Sequence, residues 1–597
     1  MIDFRKVFNF NIVSIIVVVA LLTTDTAYGI NSLPITHLRK LLDYNSYNTI
    51  IRRRYKEMIF SFQYTPLIKI NENKRVFTDD QGVDLKAMFE VIPETVIDKQ
   101  TLELIQIFDL HKALDYTITS VGSATLFRSL MQPPTSLKLI LAKQESVREL
   151  ESNVLLRKAM AEYLKEFRKG EAGLFKFINN SNKVIEYSDF KAAMKAGISI
   201  AKAAQSIPTP QSDYLKSLVN EIKAFENSPV YKLMRGPIYR TFGGLRSKED
   251  VRFFRPDWRF RPSRLTFGTV GPFVLFIGLT LAIKTGFIQY SLFLASLGVS
   301  MMMMVALSFA YGAIAKISID NSTVVEPLRE KSVSDDAFVS AVDSIGKLDE
   351  LMSFIAYAEA MPHPTVLPTV TDGDKHFFIA KDLRNPILSK ENIDYVPVDI
   401  SLDGVRLTFI TGPNNGGKTT LLKTIFQNQL SGQIGDYAVG LDLCMTIVDR
   451  MAYQAPQFDV LQNEEGRFGT ELKRTQDIFE VISSKSLVVL DELAGGTTFE
   501  ESLEVSKDIL DGFYIIGNNT ILITHNHALV DIFKNKGKGQ FLQVEFKDEK
   551  PTYKVVPGIS KTSHASKVAE KIGFSISDIE ESLLRRGYLN RDGRNDL

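Results

Sequence analysis

The feature that most restricts the fold of this chain is Gly412-Pro-Asn-Asn-Gly-Gly-Lys-Thr419, which has the spacing G-x-x-x-x-G-K-T. Glycines at those positions let the backbone curl so that successive N–H groups point at one anion. Gly412, Pro413, Asn414, Asn415, Gly416, Gly417, Lys418, Thr419 and Thr420 are therefore expected to cradle a nucleoside triphosphate. Lys418 would reach the terminal phosphates, and the Thr419 hydroxyl would help to hold Mg²⁺. Such a loop works only between a buried strand and a helix. Both neighbours fit: Arg406-Leu-Thr-Phe-Ile410 is apolar and β-rich, and Thr419–Phe426 has helical spacing.

Two further apolar strands end in chemistry. Ser486-Leu-Val-Val-Leu-Asp-Glu-Leu493 places Asp491 to contact Mg²⁺, and Glu492 to orient or deprotonate a water attacking the γ-phosphate. Thr520-Ile-Leu-Ile-Thr-His525 ends in a histidine that could hydrogen-bond that phosphate and sense its loss. Ala494-Gly-Gly-Thr-Thr498 suits a loop passing close to a second nucleotide. Asp442 and Asp449 have no evident role and read as surface charges.

With 597 residues the chain should hold several domains, and its net charge of +1 gives no global field for nucleic acid. One cysteine, Cys444, excludes an internal disulfide and fits a reducing compartment. Residues 7–24 are uncharged, follow Arg5-Lys6 and resemble a signal peptide or an N-terminal anchor. The basic run Arg52–Lys56 reads as a solvated helix face. From Leu102 to about Arg235 amphipathic segments predict a packed all-helical domain, and helix resumes over Ala337–Met352. Between Arg264 and Lys316 the only charge is Lys284, so residues 265–283 and 285–315 read as two membrane crossings joined by a tight turn. The flank 252–264 is basic and aromatic, as a cytoplasmic membrane boundary would be.

Taken together these residues resemble the MutS family of mismatch-repair ATPases. The loop Thr411–Thr420, the pair Asp491-Glu492 with Gly496-Thr497-Thr498, and Thr524-His525 are similar to its ATPase motifs. Tyr553-Lys-Val-Val-Pro-Gly558 with Ser563 is similar to its closing motif. Leu114–Gly122, Leu130–Pro133, Leu348-Asp349 and Arg384-Asn-Pro386 resemble landmarks of its core. The resemblance implies an ABC-type ATPase domain that forms a homodimer, each nucleotide being closed off by the partner's signature segment. That segment matches Gly466–Glu471, where Gly466 replaces the family's serine and Arg467 offers a charge instead. Tyr395 falls near the family's adenine-stacking aromatic.

The implied architecture is multidomain: an all-α core and lever domain interrupted by a transmembrane helical hairpin, then an α/β P-loop ATPase domain. Its expected parts are an N-terminal hydrophobic segment (1–29), a small region (30–95), helical core (96–264), hairpin (265–315), core return (316–370), ATPase domain (371–560) and helical tail (561–597). No F-x-E mismatch-reading motif occurs in residues 1–250, and the hairpin falls where relatives carry a DNA clamp. Mismatched or branched DNA is the partner expected from the family. A membrane-bound mechanochemical switch acting on a protein or lipid is the alternative, and an ABC transporter has too few spans. ATP and Mg²⁺ are the expected cofactors, and the inner (cytoplasmic) membrane, with the ATPase facing the cytoplasm, is the expected location.

Overall fold

The computed structural model describes residues 96–179, 184–241, 244–250, 258–261, 316–413, 416–456, 466–494, 497–547, 550–560, 572–586 and 588. The expected N-terminal segment, the small region 30–95, the basic run Arg52–Lys56, the hairpin at 265–315 and Asn414, Asn415, Gly495 and Gly496 lie outside these. Among the described residues no helix is long and apolar enough to cross a membrane.

The helical part contains α1 Lys99–Leu104, α2 Ile107–Leu114, α3 Ser120–Met131, α4 Leu137–Ser152, α5 Val154–Asn179, α6 Tyr187–Ala204, α7 Asp213–Ala224 and, after the undescribed stretch, α8 Asp336–Ala360. Helical spacing explains the pairing of α5 with α6. Met160, Tyr163, Leu164, Phe167 and Leu174 form one buried stripe, which joins Phe190, Ala193, Ala196 and Ile200 in the same core. A short three-stranded sheet, Tyr239–Thr241, Gly244–Arg246 and Trp258–Arg259, follows the helices and departs from the all-helical expectation. Two- and three-residue strands carry too few side chains to show a period of two.

The long helix α8 packs on α3 and α7, and carries a buried carboxylate across to the start of α3. Asp349, with no exposed surface, accepts from Ile118 N (3.0 Å), Thr119 N (2.7 Å) and Thr119 Oγ1 (2.6 Å). Glu171 of α5 accepts from Ser120 N (3.1 Å) and Val121 N (2.9 Å). Two buried acids thus satisfy amide donors that a helix start leaves open, at the positive end of its dipole. Burial still raises Asp349 to about 6, against the pull of those donors. Gly122 makes the approach possible, because a Cβ there would lie 2.2 Å from Asp349 Oδ2.

The α/β part is built on two sheets. Strands β1 Thr369–Thr371, β2 Phe378–Leu383, β3 Val398–Ser401 and β5 Asp442–Thr446 form one, in the order β1-β5-β2-β3. The other comprises β4 Leu407–Thr411, β6 Met451–Gln454, β7 Leu487–Asp491, β8 Asn519–Ile523, β9 Gln540–Lys547 and β10 Lys550–Pro557, in the order β6-β7-β8-β4-β9-β10. Its first five strands are parallel, and β10 returns antiparallel along β9. Strands β4, β7 and β8 are continuous apolar runs, as strands covered on both faces must be. Helices α9 Lys418–Ile434, α10 Gly466–Val481, α11 Phe499–Ile516 and α12 His527–Asn535 accompany them.

The helical and α/β parts meet through buried polar contacts. Lys143 of α4 donates to Glu350 of α8 (2.8 Å) and to the carbonyl of Ile434 at the last turn of α9 (3.2 Å). A cation at a helix carboxyl end is favourable twice over, through the dipole and through an orphan carbonyl.

Candidate functional site

In an open parallel sheet, ligands bind beyond the carboxyl ends of the strands. Here β4, β7 and β8 are adjacent and parallel, and at that edge they deliver the phosphate loop, the Asp491-Glu492 pair and His525. Gly412 and Gly417 have φ of +133° and +85°, which a side chain would resist. Gly416 lies under β9, and a Cβ there would come within 3.2 Å of Val544 Cγ1. Lys418, the first residue of α9, is buried and turns its Nζ back to the carbonyls of Gly412 and, at 3.0 Å, Pro413. Burial lowers its pKa, opposed by the nearby Asp491 and Glu492 carboxylates.

Thr419 Oγ1 donates to Asp491 Oδ2 at 3.3 Å, although the two are 72 residues apart in sequence. These are hard oxygen donors of the kind Mg²⁺ takes alongside substrate phosphates, so the residues present fit that ion. Burial raises the Asp491 pKa, and hydrogen bonds from Thr419 and Tyr453 oppose the rise. Glu492 has φ +58° and Ala494 φ +56°, a conformation costing about 1–2 kcal/mol per non-glycine residue. The Glu492 amide donates to Ile523 O (3.0 Å), which holds the turn against β8. Its Oε1 lies 3.8 Å from His525 Nε2. Burial and then the Lys418 charge depress the His525 pKa, which favours a neutral imidazole at physiological pH.

Beside the loop opens a cleft of about 520 Å³ lined by Leu388, Tyr395, Val396, Gly417, Thr420 and Tyr553, among others. Tyr395, which the resemblance aligns near the family's adenine-stacking aromatic, lines this cleft, and burial raises its phenol pKa. In the sequence Tyr553 reads only as part of the closing motif. The structure puts its ring over the phosphate loop, where a Cβ on Gly417 would lie 3.3 Å from Tyr553 Cδ1. The signal was the antiparallel return of β10, which lays residues 550–557 along β9.

In the expected signature segment, Gly466 begins α10, Phe468 packs half-buried against the core that holds Phe409, Leu490 and Phe513, and Glu471 is buried. Thr498 caps α11, its Oγ1 accepting from the Glu501 amide at 3.5 Å. Asp449 is not an idle surface charge. It accepts from the hydroxyls of Ser483 and Ser486 (2.7 Å for the latter) and fixes the turn into β7, whereas Asp442 is exposed as expected.

Residues 93–354 match the family model described as MutS domain III, and residues 408–583 match that of MutS domain V. The first match runs through the apolar segment at 265–315, whose only charge is Lys284. Curated relatives include the DNA mismatch repair protein MSH3 of Coccidioides immitis, 28% identical over 45% of this chain and 23% of the relative. Endonuclease MutS2 of Shouchella clausii is 28% identical over 41% of this chain and 31% of its own length. The msh3 protein of Aspergillus oryzae is 30% identical over 40% of this chain and 23% of its own. The chain thus spans under a third of the length of these relatives.

Proposed function

Because the chain belongs to the MutS family, we propose that it is an ATPase whose nucleotide cycle closes two copies and moves the helical part against them. The observation that carries this reading is the convergence of Lys418, Thr419, Asp491, Glu492 and His525 at one sheet edge, beside a cleft walled by Tyr395 and Tyr553.

The amides of the loop and the Lys418 ammonium hold the β- and γ-phosphates, and the two tyrosines bracket the base. Thr419 and Asp491 would hold Mg²⁺, which supplies charge neutralisation on the phosphate oxygens. Glu492 orients a water in line with the γ-phosphorus and accepts its proton as the P–O bond to ADP breaks. Neutral His525 donates to a γ-phosphate oxygen and loses that partner when phosphate leaves. Gly466–Glu471 of a partner copy covers the nucleotide from the far side, and motion of α9 passes through Lys143 to α4 and α8.

DNA, mismatched or branched, is the first partner, in keeping with the relatives named for mismatch repair. The second reading is a switch acting on a protein or lipid, favoured by the uncharged segments 265–283 and 285–315, which have the length and composition of two membrane spans. Location in the inner membrane, with the ATPase on the cytoplasmic side, follows from that reading. The deciding experiment uses full-length protein in detergent. ATP turnover is measured with homoduplex, mismatched and branched DNA and with anionic liposomes, and Lys418→Ala serves as the control. Stimulation by DNA supports the first partner; stimulation by liposomes alone supports the second. Turnover that survives in Lys418→Ala would remove the site from consideration.

A further inference from the structure

Tyr453 is one of the largest fully buried side chains, 1% exposed, on β6 next to the strand that ends in Asp491. Its ring already packs against Phe426 of α9, with centroids 6.0 Å apart. Phenylalanine would meet that packing need equally well, and burying an extra hydroxyl costs free energy unless it finds a partner. The partner is Asp491 Oδ2, at 3.3 Å, the same oxygen that receives the Thr419 hydroxyl. Burial keeps the phenol far above its ordinary pKa, so it remains a donor.

The backbone of Tyr453 is fixed from an unexpected direction. Its amide donates to Thr101 Oγ1 (2.9 Å), and Ile97 bridges in parallel to Met451 at the sheet edge. Asp98 pairs with Arg474 of α10 (2.7 Å), and Gln106 accepts from Lys423 of α9 (3.2 Å). The short stretch 97–106 therefore touches the strand beside the metal-site carboxylate, the phosphate-loop helix and the helix that begins with the signature segment.

We propose that Tyr453 is a positioning residue for the metal-binding carboxylate: seated by Thr101, its hydroxyl holds Asp491 in the orientation that Mg²⁺·ATP requires. The inference rests on the ATPase reading. It assigns Tyr453 no contact with the nucleotide, so its removal should weaken metal-dependent binding while leaving metal-free binding alone.

The test is Tyr453→Phe in the full-length protein, with binding of a fluorescent ATP analogue followed in EDTA and across a Mg²⁺ titration. Mn²⁺ binding to the nucleotide complex is read in parallel by electron paramagnetic resonance. The expected result is a rise of about three- to tenfold in half-saturating Mg²⁺ and Mn²⁺, the scale of one lost hydrogen bond. Affinity in EDTA and the melting temperature should not move. Unchanged metal dependence would overturn the proposal and leave Tyr453 as packing alone, and so would an equal loss of binding in EDTA. Failure of the ATPase reading looks different: the wild type itself would bind no analogue and match Lys418→Ala, and the proposal would fall with it.

Discussion

At the scale of single residues, on the proposed ATPase reading, the site separates binding from chemistry. Glu492 sits on a strained turn that aims its carboxylate toward His525 (3.8 Å), whereas Lys418 and Thr419 belong to the first turn of α9. Glu492→Gln should keep ATP binding, lower turnover by about a hundredfold or more, and trap paired copies. Single-turnover kinetics with light scattering checks this, and full turnover would mean that another group takes the proton. Tyr395→Ala and Tyr553→Ala should each weaken ATP about tenfold, the scale of one lost aromatic contact, without a comparable loss for free triphosphate. Competition between ATP and triphosphate for the fluorescent analogue reads that difference. The histidine His376 gives a pH prediction. Asn519 Nδ2 lies 2.8 Å from its Nδ1, and Nε2 faces Gln429 Oε1 at 3.4 Å, an arrangement suited to the neutral ring. Burial lowers its pKa to about 4. With its folded pKa below the unfolded value near 6.5, its contribution is present above pH 6.5 and lost as pH falls toward 4. The loss amounts to about 3 kcal/mol. Urea midpoints taken between those limits should decline, and His376→Gln should flatten that part of the slope.

Between elements, buried polar contacts join the helical part to the sheets, and they behave differently from apolar packing. Removing Lys143 leaves the Glu350 carboxylate buried without its cation. Lys143→Met is therefore expected to cost about 3–5 kcal/mol, and adding Glu350→Gln should return part of it. Chemical denaturation of the two variants measures both. Gly122→Ala should cost about 3 kcal/mol by driving Asp349 away from the start of α3, with the loss read from thermal melts. Much at this scale could be read from sequence. Strands β4, β7 and β8 are apolar runs bounded by turn residues, and the phosphate loop sits in eight consecutive positions, so local order sufficed. Asp349 was visible only as part of a family landmark, because the amides it accepts from lie 230 residues earlier. Tyr453 gave no signal, since Met451-Ala-Tyr-Gln454 reads as any buried strand and its partner is chosen by sheet order. Asp449 looked idle because its serines become neighbours only when β6 and β7 pair.

For the whole molecule, the family match over residues 93–354 runs through a segment, 265–315, with membrane-span composition. On the membrane-bound reading, full-length protein stays with the membrane fraction through carbonate extraction; complete release into the supernatant would remove the lipid-embedded reading. The contact of Ile97 with Met451 carries a further consequence, for synthesis. Thr101 waits for Tyr453, 352 residues downstream, which at about 5–20 residues per second is roughly 20–70 s of translation. During that interval the edge of the nucleotide sheet does not yet exist, and the start of the helical part has nothing to clasp. A chain stalled on the ribosome before Met451 should therefore leave Ile97–Thr101 open to protease, and that region should become protected only after the later strands emerge.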